Sequence, residues 1–205
     1  MTKETMTDRP RAARSAARRQ HLLDTARNLF VERGFHQTGI AQIAAASGIA
    51  VGQIYRDFAN KEAIIAAICE SQISVWLDEG TLCAAVGAQD CEAILAWIER
   101  VSFDEPDDDD RRLMCEILAE VGRNPIIAEM NARVDARLRG SIGAALESLA
   151  PNAPAPRLSM VIDLIVAMSW GLAALRELYP GSDPQALHAT MLDFLRKEVK
   201  NLSQT

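Results

Sequence analysis

Residues 26–65 read ARNLFVERGFHQTGIAQIAAASGIAVGQIYRDFANKEAII, and this run decides the fold. Ala26, Leu29 and Phe30, with Leu22 and Leu23 before them, recur at spacings of three and four and form one face of a helix. Gly34 stops that helix, and Phe35 then folds back onto the core. Thr38 reads as the N-cap of a short helix over 39–47, with Ile40, Ile43 and Ala44 on its inner face. Gly48 ends it. After a three-residue turn a second short helix runs over 51–55, anchored by Ile54 and Phe58, four apart. A short helix, a turn containing glycine and a second short helix make a helix-turn-helix. Asn60 caps the next helix, which starts at Lys61 and runs through Ile64, Ile68, Val75 and Leu82.

The same periodicity continues to the end of the chain. Helices are expected at about 91–103, 111–122, 125–149, 157–178 and 184–202. Proline, glycine and acidic punctuation separates them: 104–110 with Pro106, Asn124-Pro125, Pro151/Pro154/Pro156 and Pro180-Gly181. No stretch alternates with period two between turn signals, so no sheet is expected. The expectation is an all-α protein of nine helices. A disordered basic arm (1–11) leads into a three-helix helix-turn-helix domain (12–60), followed by a six-helix domain (61–205).

The chain has 205 residues, 49% hydrophobic and 24% charged, enough to bury a core without disulfides. Its net charge is −6, which by itself argues against a nucleic-acid partner. The charge is unevenly placed, however. Residues 1–60 carry nine Lys/Arg against five Asp/Glu, whereas 61–205 carry thirteen against twenty-three. A basic leading unit on an acidic body points to two tasks in one chain.

Cys69, Cys83, Cys91 and Cys115 form no CxxC pair and read as small apolar residues. The polar, Arg-rich start has no leader pattern, and the stretch 158–175 is short for a membrane span, so a reducing cytoplasm and no membrane partner are expected. His21, His36 and His188 lie in no metalloprotease motif, and there is neither a nucleophile elbow nor a phosphate loop. No enzyme activity, cofactor or metal is therefore expected. Asp107–Asp110 lacks the alternation and glycine of a calcium loop and reads as a solvated loop. A scaffold or interaction module would account for the helices but not for the asymmetric charge.

From Leu22 to about Ile65 the chain resembles the N-terminal DNA-binding domain of TetR-type bacterial transcriptional regulators. The residues that carry this are Ala26, Leu29, Phe30, Gly34-Phe35, Thr38, Ile43-Ala44, Gly48-Ile49, Gly52, Ile54-Tyr55, Phe58 and Asn60-Lys61-Glu62. The resemblance implies a homodimeric repressor that binds a double-stranded DNA operator and is released by a small-molecule effector held in the C-terminal helices. It implies that Thr38, Tyr55 and Lys61 touch phosphates, and that Val51, Gly52 and Gln53 face the bases. The chemistry is compatible: a hydroxyl at a helix N-terminus suits an anion, Gly52 permits close approach, and Gln53 carries the donor–acceptor pair that reads adenine. The chain departs from the family pattern at three positions. Ala50 stands where Ser or Thr usually caps the recognition helix, Ala41 where Arg is common, and Asp57 where His or Tyr faces phosphate. The basic arm, with Arg9, Arg11, Arg14, Arg18 and Arg19, reads either as a flexible tail or as compensation for these losses.

In the body, the last two helices match by position the pair that forms the family's dimer bundle. Ala167, Gly171 and Ala174 recur at four and three, which suits either close helix approach across a dimer or a tight intrachain core. Trp76, Trp97, Phe103, Met114, Met130 and Trp170 are candidates to line an apolar effector pocket. Asp163, flanked by Val161, Ile162, Leu164 and Ile165, reads foremost as half of a salt bridge with an arginine, and otherwise as a contact to the effector or a cation, or as simply exposed.

Overall fold

The computed structural model describes residues 8–103, 107–179, 181 and 185–202, with side chains from Ala12 onward. Ten helices and no strand occur among the described residues: α1 (Asp8–Arg33), α2 (Ile40–Ser47), α3 (Val51–Asp57), α4 (Lys61–Leu77), α5 (Glu79–Gly87), α6 (Cys91–Phe103), α7 (Asp108–Val121), α8 (Pro125–Leu149), α9 (Ala155–Leu178) and α10 (Gln185–Leu202). The architecture is the expected one, a helix-turn-helix followed by a helical body.

The punctuation acts as read at Gly34 and Gly48. Both adopt positive φ, 83° and 69°, where a side chain would be strained, and they end α1 and α2. Asn60 caps α4 as expected, its Oδ1 accepting from the Ala63 amide at 2.8 Å. Asn124 does the same for α8, with Pro125 in the first turn.

Four details differ from the sequence reading. Of the expected arm, residues 1–7 lie outside the described residues, and 8–11 already belong to α1. The long helix from Lys61 through Leu82 is divided into α4 and α5. Asp78 takes φ 45° and caps α5, its carboxylate accepting from the Thr81 amide and hydroxyl. The six body helices thereby become seven. The acidic run is not a solvated loop throughout: Asp107 Oδ1 accepts from the Asp110 amide at 2.7 Å, so α7 starts at Asp108 with three carboxylates against its positive end. Finally, α2 is capped by Gly39, not Thr38; the Gln42 side chain accepts from the Gly39 amide at 2.7 Å.

Two apolar cores form. The first gathers Leu22, Phe30, Ile43, Ile54, Phe58, Ile64, Ile65 and Ile68 from α1–α4, and Leu113, Ile127 and Met130 of α7 and α8 close it. The second is built by the end of α4 and by α5, α6, α8, α9 and α10 around Trp97, Ile98, Ile142, Leu146 and Ile165. The two share Val134 at their border. The leading unit is thus packed directly onto the body. By length and composition α9 is apolar enough to cross a membrane, but it packs among α6, α7, α8 and α10.

Candidate nucleic-acid interface and effector cavity

Helix α3 is fixed from one side only. Ile54 is fully buried, as is Phe58 just beyond the helix end. The other face carries Val51 at 41% exposure, Gly52, and Tyr55 at 54%. Nothing lies within 4 Å of a side chain built at Gly52, so its outer surface is open. Gln53 is half-buried, and its amide donates to the Asp57 carboxylate at 3.2–3.3 Å, one turn on. Arg18 approaches the same carboxylate at 3.8 Å, and the Arg19 guanidinium lies 4.8 Å from the Phe58 ring centroid. The charge of Asp57 is therefore partly answered from α1, which also places two cations beside α3. Ala50 sits at the α3 N-cap and offers no side-chain bond.

Thr38 and Lys61 are not where the resemblance implies. Thr38 is 1% exposed, and its hydroxyl is directed at the carbonyls of Leu29 (3.1 Å) and Gly34 (3.0 Å). It ties the end of α1 to the turn and presents no oxygen to a phosphate. The Lys61 ammonium donates to the Phe35 carbonyl at 2.6 Å and lies 4.1 Å from the Phe35 ring centroid. Partial burial lowers its pKa below the ordinary amine value, against the opposing pull of Glu62 and Glu120. Of the six candidate DNA contacts, the structure places Val51, Gly52, Gln53 and Tyr55 together on α3, buries Thr38 and holds the half-exposed Lys61 against Phe35.

A cavity of about 290 Å³ opens where α4, α6, α7, α8 and α9 meet. Trp76, Phe103, Met114, Met130 and Trp170 line it, with Ile73, Val101, Leu113, Ile117, Val166 and Leu172. Polar groups also reach it: Gln72, Ser102, Asp110, Arg111, Asn131, Ser169 and Arg176. Met114, Asn131, Val134, Leu138 and Trp170 border a second depression that extends to Gly171 and Ala174 on α9. Cys69 is also in the wall, and burial pushes its thiol up to about 12.

The profile for bacterial regulatory proteins of the tetR family matches residues 22–68, from the second half of α1 into α4. The transcriptional regulator UidR of Escherichia coli is 33% identical over 116 residues, which cover 55% of this chain and 56% of that protein. The repressor Rv1474c of Mycobacterium tuberculosis is 28% identical over 90% of this chain and 94% of its own length. The structure of Salmonella enterica GusR superposes with a TM-score of 0.65 at 26% identity, covering 92% of this chain and 96% of that one. Over residues 22–68 the chain is therefore similar to the tetR family of bacterial regulatory proteins. The alignments to the first curated relatives span only 24% and 56% of those proteins' length.

The cavity differs from the sequence expectation at two residues. Trp97 is 2% exposed in the second core, and its indole Nε1 donates to the Leu77 carbonyl at 2.7 Å, closing the α4–α5 break rather than lining a pocket. Asp163 is 63% exposed at its side chain and pairs with Arg139 at 2.5 Å, so its apolar sequence neighbours face away from it. The periodicity that made it look buried belongs to the other faces of α9. Gln72, which the sequence reading did not single out, and Asp110, which it placed in a solvated loop, are both on the cavity wall. A helical-spacing signal was present for the first, since Cys69, Gln72, Ile73 and Trp76 share one face of α4.

Helix α7 adds polar contacts between body and leading unit. Asp110 Oδ1 accepts from Arg27 Nε (3.1 Å) and Nη2 (2.6 Å). Glu116 accepts from the Phe35 amide at 3.0 Å, and the buried Glu120 meets His36 Nε2 at 2.6 Å.

Proposed function

We propose that the protein is a dimeric DNA-binding repressor in the bacterial cytoplasm, released from its operator by a small, largely apolar effector. The observation that carries this is the outer face of α3. A seven-residue helix anchored by Ile54 leaves Val51, Gly52, Gln53 and Tyr55 on or near the surface, with Arg18 and Arg19 beside it. A helix so mounted fits the major groove, where Gln53 reads a base edge while Tyr55 and the α1 arginines meet phosphates.

Dimerisation through α9 and α10 is supported by what those helices leave uncovered. Met160, Asp163, Ala167, Gly171, Ala174 and Leu178 follow one another at three and four along α9, and all are exposed. Open space surrounds Gly171, so this stripe of small residues is not an intrachain core. Leu187 and Phe194 are exposed apolar residues on α10. Two copies joined here would place two α3 helices for a palindromic site.

The cavity supports the effector half of the reading. Its wall is mostly apolar with a few polar groups, the pattern of a small-molecule site. Selection of bound fragments from random duplex DNA with the full-length protein tests the whole reading. Enrichment of a palindrome retarded at low salt is the expected result. Failure to enrich or retard any duplex would favour an all-helical interaction module instead.

A further inference from the structure

We infer that Asp110 is the residue through which occupancy of the cavity reaches the DNA-binding unit, and that the effector presents a hydrogen-bond donor on an apolar body to it. This rests on the effector-cavity reading above and specifies its ligand chemistry and its route of action.

Asp110 stands in two places at once. It lines the cavity, and its carboxylate holds Arg27 of α1. Gln72 of α4, also on the wall, donates to the same oxygen. One atom, Oδ1, thus joins α1, α4 and α7. Among the described residues, every side-chain hydrogen bond to this carboxylate ends on Oδ1, and none on Oδ2. An ionised carboxylate only accepts. A ligand that engages it must donate, which means an amine, an ammonium or a hydroxyl. The apolar part of the wall, with Trp76, Phe103 and Trp170, holds the hydrocarbon part.

Such a donor competes with Arg27. The remaining partners of Arg27 are Asp107 at 3.4 Å and Asp109 at 4.0 Å, both more exposed than Asp110. Exposed pairs of that length hold little. Losing Asp110 therefore loosens α1 from the first turn of α7, while Glu116 and Glu120 still hold the turn after α1 further along the same helix. The DNA-binding unit then shifts about the far end of α7, and the shift reaches α2 and α3 through α1.

The test uses full-length protein, a DNA fragment enriched by the selection above, and three eight-carbon probes: octylamine, octan-1-ol and octanoate. Binding is read by the fluorescence of the cavity tryptophans. Octylamine and octan-1-ol should bind wild type about tenfold more tightly than octanoate, and should weaken DNA binding. Asp110→Asn should erase the preference for octylamine. Arg27→Gln should bind octylamine more tightly, because the competitor is gone, and should no longer transmit its binding to DNA. A purely structural role for the pair predicts no such gain. Preference for octanoate, or unchanged octylamine affinity in Arg27→Gln, overturns the inference while leaving the cavity reading intact. Absence of any probe binding overturns the cavity reading itself. If Asp110→Asn does not fold, Arg27→Gln decides the question alone.

Discussion

The ammonium of Lys61 and the backbone of Phe35 are joined by a 2.6 Å hydrogen bond, with the same ammonium 4.1 Å from the Phe35 ring centroid. This contact pins the turn after α1 to the first residue of α4, and it gives Lys61 a different task from the phosphate anchor implied by family resemblance. A charged hydrogen bond in a half-buried place is worth about 1–2 kcal/mol. Lys61→Met should therefore lower unfolding stability by about that amount, seen in urea titrations followed by circular dichroism. A variant as stable as wild type with a reduced salt slope for DNA binding would restore the anchor role.

The Gln53–Asp57 pair separates base reading from backbone repulsion. Gln53→Ala should cost about 1–3 kcal/mol on the selected operator and little on random duplex. It should leave stability within about 0.5 kcal/mol, since the bond it loses is exposed. Asp57→Asn removes a negative charge from the α3 face and frees Arg18 for phosphate. It should strengthen binding to both kinds of DNA and raise the salt slope by about one per subunit. Titration of operator and random fragments at several salt concentrations distinguishes these outcomes.

Trp97 and Trp170 should behave oppositely. Trp97→Phe loses the bond to the Leu77 carbonyl and leaves space in a closed core, so it should destabilise by about 1–3 kcal/mol with probe binding unchanged. Trp170→Phe should alter the fluorescence response and affinity for octylamine with a smaller stability change, because its ring borders the cavity. Thermal melts and probe titrations on both variants check the contrast.

The four thiols should divide by burial. Cys83 and Cys91 are exposed and should react promptly with a disulfide reagent at pH 8. Cys69, pushed up to about 12 by burial, should react only as the protein opens, and more slowly still with octylamine bound, because the probe shares its cavity. Equal rates for Cys69 and Cys83 would mean that the cavity wall is not as closed as the structure has it.

Much of the helix-turn-helix could be read directly from sequence because its signals are local. Gly34 and Gly48 end helices through a backbone angle that needs no partner, Asn60 caps within its own turn, and Ile43, Ile54 and Phe58 fall at helical spacing. The division of α4 from α5 was not legible. Asp78 is an L-residue at positive φ, a conformation that local sequence rules disfavour, and it is held in a joint that Trp97 and Arg100 close from a different helix by donating to the Leu77 carbonyl. Nor did spacing reveal which aromatic residues line the cavity, since Trp76 and Trp97 have the same apolar character.

By itself the sequence determined the element types, the turn chemistry and the residues that mount α3, since periodicity, glycine and caps act over a few residues. Tertiary packing decided which way each polar side chain turned. Lys61 points to Phe35, Thr38 to Leu29 and Asp110 to Arg27 because a charge or hydroxyl goes to the nearest group that replaces its lost water, and the exposed Asp163 meets Arg139 of α8. That group lies on another helix, or across a turn, at a distance along the chain that no local pattern encodes.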